Sequence, residues 1–270
     1  MATALVGSLV AKGHPPSGFV IVEPFEAQRA RLAERFRGIL LSATAESAPL
    51  DGATLLVLAV KPQQMRDACA SLRPRIDDIP AVLSIAAGTR IETLSQWLGG
   101  YSRIVRAMPN TPALVGAGIT GVYAPPAAST AGRDAAAVVL SAAGEIVWCR
   151  EEAMLDAVTG VSASGPAYVF YFVEALEQAA NELGFTPEEA RKLAYATFDG
   201  AVKLARQSDV DVQALRAQVT SKGGTTERGI AALEDAGVKQ AIIRAAKAAT
   251  ARATELGAAI ADDRSPGRSA

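Results

Sequence analysis

Short apolar runs alternate with amphipathic stretches through the first half of the chain. The run at residues 54–60 is continuous, which is typical of a strand buried on both faces of a sheet. The stretches between the runs have apolar positions three and four residues apart and predict helices. The predicted strands lie at residues 19–23, 39–41, 54–60, 81–86, 103–108, 118–123 and 145–149, and the predicted helices at 1–12, 26–36, 63–72, 92–98 and 131–143. This alternation predicts an α/β fold with a Rossmann-like, doubly wound parallel sheet.

The second half of the chain has helical periodicity throughout. A glycine- and serine-rich stretch, which we predict to be a turn, precedes a helix at residues 166–183. Pro166 suits the first position of this helix, and Gly184 suits the left-handed position after its end. Apolar side chains cover more than one face of the helix, so we expect burial on more than one side. A capping box at Thr186 and Glu189 begins the next helix. Further helices are predicted at 227–234 and 239–256, before a frayed polar end at 262–270.

These patterns divide the chain into two predicted domains. Residues 1–150 form a Rossmann-like domain of the kind that binds dinucleotides, and residues 151–270 form an all-α domain, for which the family resemblance described below implies substrate binding and dimerisation. The apolar face of the helix at 166–183 is wider than a helical domain of about 100 residues can cover, because the core of so small a domain is modest. The sequence therefore predicts an obligate dimer.

Composition narrows the classes of partner. The chain has 270 residues, 50% of them hydrophobic, and its 27 basic and 28 acidic residues give a net charge of −1. This balance favours neither nucleic acid nor an anionic membrane surface. Neither a membrane-spanning run nor a signal peptide is evident, and we expect a cytoplasmic protein. With one histidine and two cysteines, we expect no metal site and no Ser-His-Asp catalysis.

The ends of three predicted strands offer contacts to a ligand, because an open parallel sheet binds ligands at the carboxyl ends of its strands. Small residues there let the backbone approach a ligand, although they are also ordinary turn residues. Glu23 stands where dinucleotide folds often place an acid against the adenosine ribose, and a solvated glutamate at a helix start is an equal alternative. Lys61 is a weaker candidate for a phosphate or ribose contact. The candidate cofactor residues at these ends are Glu23, Pro24, Val60, Lys61, Pro62, Ala86, Ala87 and Gly88.

The segment VRAMPNTPALVGAG at residues 105–118 fixes two short polar side chains at the end of a predicted strand. Two prolines flank Asn110 and Thr111 and restrict the backbone on either side. Such a segment suits contact with a bound ligand. A rigid loop that only connects two domains is the alternative.

The segment VTSKGGTTERGIAAL at residues 219–233 predicts an anion site. Gly223 and Gly224 precede Thr225 and Thr226 at the start of a helix. Free N–H groups and the positive end of the helix dipole converge there, which suits a carboxylate or a phosphate. A plain threonine cap without a ligand is the alternative.

Three segments together resemble the pyrroline-5-carboxylate reductase family. VRAMPNTPALVGAG, DAVTGVSASGPAYVF and TSKGGTTERGIAAL are similar to the PNTP, SGSGPAY and SPGGTT signatures of that family. The resemblance implies an N-terminal Rossmann domain and a helical domain that interlocks with its partner in a homodimer, and it allows a ring of dimers. It also implies reduction of the cyclic imine 1-pyrroline-5-carboxylate to L-proline, the last step of proline biosynthesis. The implied cofactor is NADPH, with NADH as the alternative.

The resemblance and the chemistry of an imine suggest roles for individual residues. An imine nitrogen is basic enough to take a proton from water or a hydroxyl, so a site without histidine suits it. We expect Thr226 to be catalytic through a hydrogen bond to that nitrogen, beside N–H groups around Gly224 that bind the substrate carboxylate. The nicotinamide is expected near Ala87 and Asn110. Glu152 resembles a residue of the family's substrate pocket, a surface salt bridge being the alternative. The remaining candidates are Ser164, Gly223 and Thr225 for the substrate and Gln218 for the cofactor.

The chain departs from the family pattern at several points. Ala163 stands in place of a usual glycine, Lys222 in place of a proline and Gln218 in place of an asparagine. Residues 1–5 resemble the helix that follows the family's first strand and GxGxxG turn, and the strand and this phosphate-binding loop are absent from the sequence. We therefore expect the strands ending at Glu23 and Val60 to expose unpaired edges, with weaker folding and nucleotide binding. A start codon assigned too late is the simplest explanation.

Two other functions are compatible with these patterns. The first is another Rossmann-type imine or hydroxyacid reductase, which is disfavoured because the lysine that hydroxyacid chemistry needs has no clear place in the helical domain. The second is a catalytically impaired nucleotide-binding dimer, which the missing phosphate loop favours.

Overall fold

A computed structural model describes residues 1–262 of the chain. The strands are β1 Val20–Val22, β2 Leu40–Ser42, β3 Leu56–Leu58, β4 Val82–Ser84, β5 Ile104–Met108, β6 Gly118–Tyr123 and β7 Gly144–Trp148. The α-helices are α1 Ala2–Ala11, α2 Glu26–Arg35, α3 Pro62–Leu72, α4 Ile91–Trp97, α5 Thr130–Ser141, α6 Met154–Val158, α7 Gly165–Glu182, α8 Pro187–Gln207, α9 Val212–Gln218, α10 Thr225–Asp235 and α11 Val238–Asp262. Residues 263–270, most of the predicted frayed end, lie outside the described residues.

The strands form two sheets with the predicted α/β order. β1 pairs with β2, and β3, β4, β5, β6 and β7 form a five-stranded sheet in that order. Every pair is parallel except β5 with β6, which are antiparallel. A short 3-10 turn at Thr111–Val115 joins those two strands, and a parallel return would need a longer crossover. The α/β class is confirmed, and the expectation of a wholly parallel sheet is wrong at this one pair.

β1 and β3 share no neighbouring strand within residues 1–262. The expectation that the strands before Glu23 and Val60 lack a common partner is therefore confirmed.

Val57 and Val60 are 37% and 36% exposed, so the prediction that residues 54–60 are buried on both faces is wrong. The reason is position: β3 is an edge strand, and side chains beside its open edge have no next strand to cover them.

Helices cover both faces of the five-stranded sheet. Val82 and Ile104 pack in one core cluster with side chains of α3 and α4, whereas Leu83 and Val105 pack in another with side chains of α1 and α5. Successive strand residues point to opposite faces, so a continuous apolar strand serves two cores. This is the doubly wound arrangement.

The chain divides into two compact units. Among the described residues, the first contains 1–164 and 248–262, and the second is Gly165–Lys247. This division differs from the predicted boundary at residue 150, because α6 packs against β5 and β6 and buries Leu155 and Asp156. The last part of α11 also belongs with the first unit. As a boundary between functional domains, residue 150 stays a prediction.

The predicted glycine- and serine-rich turn before α7 is instead a π-helical turn, Thr159–Ala163. The Thr159 and Ser162 hydroxyls donate to the carbonyls of Leu155 and Val158, at 2.8 and 3.2 Å, four residues earlier in each case. Each hydroxyl thus adds a local hydrogen bond that helps to fix the widened turn. The prediction of a non-helical turn is wrong here, and π-helical turns are frequent at functional sites.

Local signals in the second unit predict its helix ends well. Gly184 has φ +101°, the predicted left-handed conformation after α7. Thr186 and Glu189 form the predicted capping box, with Glu189 accepting the Thr186 N–H at 2.9 Å. One helix was not predicted: α9 begins after Asp211, whose carboxylate accepts the Ala214 N–H at 2.8 Å.

α7 is not buried within a single chain. None of its residues is fully buried, and Phe170 and Tyr171 are 66% and 73% exposed. α8 is its main packing partner in the second unit, and one neighbouring helix covers only one face. The expectation of burial on more than one side is thus wrong for the isolated chain, and the uncovered apolar face needs another surface.

The open edges of β1 and β3 lead to a test by extension. We expect that fusing a β-strand and a GxGxxG turn to Met1 raises the Tm and tightens nucleotide binding, because one added strand can pair with both edges. Thermal unfolding and cofactor titration measure the two effects. A glycine- and serine-rich extension of equal length is the control, and an equal Tm for the two fusions would show that the edges do not accept a strand.

Candidate active site

The carboxyl ends of β3, β4 and β5 lie at one edge of the five-stranded sheet, because these neighbouring strands are parallel. The segments after them carry the predicted residues 60–62, 86–88 and Asn110. Lys61 precedes α3 and is exposed. Gly88 has φ +75°, a conformation that favours glycine. The sheet therefore brings these candidates to one edge, whereas Glu23 and Pro24 follow β1 in the separate sheet.

An acid and a base lie side by side after β1. The Glu23 carboxylate accepts the Phe25 N–H at 3.0 Å. Arg29 Nη1 donates to the carbonyls of Glu23 and Pro24 at 2.8 and 2.7 Å, which fixes its guanidinium at this strand end. Arg29 was not predicted from the sequence, because a helical arginine six residues after an acid carries no motif. Its positive charge offsets the repulsion that Glu23 alone would exert on an anion.

Asn110 is buried and its side chain is engaged. Its Nδ2 donates to the Ser162 carbonyl at 3.2 Å, and its Oδ1 accepts the Ile119 N–H at 3.0 Å. The amide therefore fastens the loop after β5 to the π-helical turn and to β6. One Nδ2 hydrogen remains for a ligand, so the predicted contact with the nicotinamide stays a prediction.

Glu152 forms a largely buried ion pair. Arg106, on β5, has a side chain only 3% exposed, and burial lowers the pKa of its guanidinium. Glu152 Oε1 accepts from Arg106 Nη1 and from the Ile91 N–H, both at 2.9 Å. The alternative of a surface salt bridge is therefore wrong. Glu152 compensates a buried charge and accepts an N–H at the start of α4.

A second carboxylate lies four residues further on. Asp156 pairs with Arg90, and the same oxygen, Oδ2, accepts the Thr254 hydroxyl at 2.9 Å. Sequence reasoning missed these partners and Arg106. The signals were an arginine inside an otherwise apolar strand and the four-residue spacing of the two acids, whereas Thr254 is 98 residues from Asp156 and gave no signal.

The second unit contains the predicted anion site at the start of α10. Gly224 precedes the helix, and no threonine side chain caps it, so the alternative of a plain threonine cap is wrong. The Gly223 N–H donates to Glu227 Oε2 at 2.7 Å, and the Gly224 N–H donates to the Ser221 carbonyl at 3.0 Å.

The exposed Thr225 and Thr226 provide the first N–H groups of α10, which have no acceptor within the helix. These two groups suit an anion best, and substrate contact by Gly223 and Gly224 stays a prediction. Ser164, at the end of the π-helical turn, donates its N–H to the Thr159 carbonyl at 2.9 Å. Gln218 is the exposed last residue of α9. Their proposed ligand contacts likewise stay predictions.

Other chemistry has little support in residues 1–262. No group of three His, Cys, Asp or Glu side chains there could hold a metal ion. Burial raises the pKa of the Cys69 thiol to about 12, which removes its nucleophilic form near neutral pH. Within the same residues, no helix has both the length and the apolarity to cross a bilayer.

Comparison with known proteins separates the chain into two matched regions. Residues 1–88 match the family described as NADP oxidoreductase coenzyme F420-dependent, and residues 152–256 match the pyrroline-5-carboxylate reductase dimerisation family. The fold and the matches define an oxidoreductase that uses a nicotinamide cofactor, with a Rossmann-like sheet and a helical dimerisation domain.

Relatives identify the family. A pyrroline-5-carboxylate reductase of Pseudomonas aeruginosa is 40% identical over 95% of this chain and 93% of its own, and one of Synechocystis is 38% identical over 95% of each chain. The structure of a pyrroline-5-carboxylate reductase from Coxiella burnetii has a TM-score of 0.88 at 36% identity, covering 94% of both chains. That of Plasmodium falciparum pyrroline carboxylate reductase, with NADP bound, has a TM-score of 0.83 at 25% identity over 94% of both chains. The chain belongs to the pyrroline-5-carboxylate reductase family, which confirms the resemblance of its motifs.

Because Arg106 is buried, we expect the stability of the fold to depend on its partner Glu152. Glu152→Ala should lower the free energy of unfolding by about 3 kcal/mol, because it leaves a buried guanidinium without its counter-charge. The lower end of the usual range is expected, since the Glu152 side chain is 22% exposed. Denaturant unfolding measures the change. Glu151→Ala, which removes a neighbouring exposed carboxylate, is the control, and equal stability of the two variants would contradict the dependence.

Proposed function

We propose that the chain reduces 1-pyrroline-5-carboxylate to L-proline with a nicotinamide cofactor, as the last step of proline biosynthesis. The observation that carries the proposal is the start of α10, where Thr225 and Thr226 present free N–H groups and hydroxyls in a chain of this family. The substrate has two groups to recognise, a carboxylate and a basic imine nitrogen. The start of α10 offers a partner for each.

The substrate carboxylate suits the N–H groups of Thr225 and Thr226, because the positive end of the α10 dipole favours an anion there. We assign to the Thr226 hydroxyl a hydrogen bond with the imine nitrogen, which gains its proton from water. The bound nicotinamide supplies a hydride to the imine carbon. Hydride at carbon and proton at nitrogen together complete the reduction to a secondary amine.

The possible proton donors of the chain suit an imine substrate better than a ketone. A ketone reductase needs a proton donor as its oxygen becomes an alkoxide, whereas an imine nitrogen is itself basic near neutral pH. The chain has one histidine, His14, which lies between α1 and β1 in the sequence and outside the motifs above. A hydroxyl that orients the nitrogen is therefore sufficient.

The open edges of β1 and β3 favour a second candidate, a nucleotide-binding dimer with little turnover. In a doubly wound fold, the turn after the central strand provides amides for the pyrophosphate. Without such amides a Rossmann-like domain binds its cofactor weakly. Loss of nicotinamide absorbance on addition of 1-pyrroline-5-carboxylate separates the two candidates, since the second predicts no measurable loss.

Thr226→Ala should lower turnover and leave assembly unchanged. The loss of one hydrogen bond that strengthens in the transition state corresponds to about 2 to 4 kcal/mol in the barrier. Steady-state kinetics with light scattering measures both properties, and Thr226→Ser, which keeps the hydroxyl, is the control. Parental kinetics in Thr226→Ala would remove this hydroxyl from the mechanism.

NADPH is the cofactor we propose, with NADH usable less well. Glu23 alone would repel a 2′-phosphate, but the Arg29 guanidinium is fixed beside it, and an arginine near the ribose commonly accommodates that phosphate. The family model for residues 1–88 and the NADP-bound Plasmodium falciparum structure support this choice.

We further propose that the reaction takes place in the cytoplasm.

Arg29→Met should lower kcat/KM for NADPH by roughly tenfold relative to NADH, the loss expected for a charge-assisted hydrogen bond. Competing rate measurements with the two cofactors give this ratio. Arg31→Met, which removes another α2 arginine, is the control. A parental preference that strongly favours NADH would show that Glu23 dominates and would contradict the proposal.

We also propose that the protein is a homodimer joined through its dimerisation domain. The exposed apolar face of α7 supports this, since Phe170, Tyr171 and Leu176 have too little cover within one chain. A dimer that interlocks these helices removes that face from water. Rings of dimers are a further proposed step of assembly, and molar mass by light scattering distinguishes them from single dimers.

Phe172→Asp should give aggregated or unfolded chain, because it places a charge on the half-buried side of α7. Light scattering and circular dichroism report the outcome. Asn181→Asp, which adds a carboxylate at an exposed position of the same helix, is the control. A soluble, folded monomer of Phe172→Asp would count against the interlocked dimer.

A further inference from the structure

The loop at residues 85–90 follows β4. Its first four residues, 85–88, have no polar side chain that could fix their conformation. Its candidate cofactor residues, Ala86, Ala87 and Gly88, have only backbone groups to offer a ligand. Gly88 adopts φ +75°, and glycine has a wide conformational range there. The conformation of this loop must therefore be imposed by groups outside it.

Two carboxylates fix the end of the loop. Asp156 pairs with the Arg90 side chain, and Glu152 accepts the N–H of the next residue, Ile91, at 2.9 Å. Asp156 is buried, with 4% exposure, so its charge depends on protein donors rather than on water. The loop thus ends at a rigid junction with α4.

The last turns of α11 contact the same loop. A methyl group at Gly257 would lie 3.1 Å from the Gly88 carbonyl oxygen, and one at Gly88 would lie 3.5 Å from the Gly257 nitrogen. The absence of side chains at both positions lets helix and loop meet backbone to backbone. Thr254, one turn before Gly257, donates its hydroxyl to the same Asp156 oxygen that pairs with Arg90.

We infer that Thr254, Asp156 and Gly257 are positioning residues for the cofactor. They hold α11 against the loop at residues 85–90, set the conformation of Ala86 to Gly88, and thereby set the affinity for the nicotinamide cofactor. This inference rests on the proposed function, since it takes residues 86–88 to contact that cofactor. It assigns to α11 a role at the cofactor that does not require α11 itself to contact that cofactor.

Removal of the Thr254 hydroxyl is the first test. Thr254→Val, of nearly the same shape, should raise the KM for NADPH about fivefold, as expected for one typical hydrogen bond. The KM for 1-pyrroline-5-carboxylate and the turnover at saturation should stay within about twofold of the parental values. A merely destabilised enzyme would lose active fraction and turnover instead.

Two further variants make the first test specific. Thr254→Ser keeps the hydroxyl and should restore the parental KM for NADPH. Thr197→Val is the matched control, because Thr197 is a helical threonine whose hydroxyl donates to the Leu193 carbonyl, four residues earlier, at 2.7 Å. Thr254 lies 3.3 Å from the equivalent carbonyl, that of Thr250, and differs from Thr197 in its hydrogen bond to Asp156. It should leave the KM for NADPH unchanged.

Gly257→Ala tests the backbone contact independently. The added methyl pushes against the Gly88 carbonyl, so the Kd for NADPH should rise. Alanine favours a helix over glycine, so the Tm should not fall. Gly200→Ala, in α8, adds the same methyl where no atom of residues 1–262 lies within 4 Å apart from the adjoining residues and the backbone of its own helix, and it should bind NADPH like the parent.

A parental KM and Kd for NADPH in both Thr254→Val and Gly257→Ala would overturn the inference, as would failure of Thr254→Ser to restore the KM. Fluorescence titration of NADPH measures binding without turnover. If the parent binds NADPH but does not oxidise it with 1-pyrroline-5-carboxylate, the proposed reaction fails, while the Kd values of the variants still decide the inference.

Discussion

The burial of Arg106 beneath the carboxyl edge of the sheet is the constraint on which the site region depends. A guanidinium in β5 that is almost fully removed from water requires a carboxylate beside it, and Glu152 supplies one. The same carboxylate then fixes the first N–H of α4. Asp156, one helical turn after Glu152, pairs with Arg90. The ion pairs that compensate the buried charges therefore also hold β5, the loop after β4 and α4 in fixed positions. The same ion pairs thus neutralise the buried charges and position the candidate cofactor residues.

Positioning and chemistry are divided between two kinds of residue. The groups we assign to ligand contact, such as Ala87 and Thr226, are exposed and have short or absent side chains. Asp156, which supports the loop before α4 through Arg90, is buried, and its carboxylate accepts hydrogen bonds from Arg90 and Thr254. A small exposed contact on a rigid buried support gives close approach to a ligand without loss of precision.

Sequence reasoning succeeded where the determining interaction is short in range. The capping box of Thr186 and Glu189 spans three residues, and Gly184 acts through its own backbone, so both were predictable. The open edges of β1 and β3 followed from comparison with a family pattern. Sequence reasoning failed where an interaction partner is remote in sequence or where several elements act together. The hydrogen bond from Thr254 to Asp156 spans 98 residues, and the exposure of α7 depends on how many helices cover it.

The second unit has a thermodynamic consequence. Ala190 and Ala194 are its fully buried apolar residues in the single chain, and two methyl groups are far too little to offset the entropy of ordering five helical segments. If the missing apolar burial comes from a second copy, folding of this unit is a bimolecular equilibrium. Its midpoint then shifts with protein concentration, so that dilution alone unfolds these helices while the sheet, with cores of its own on both faces, persists.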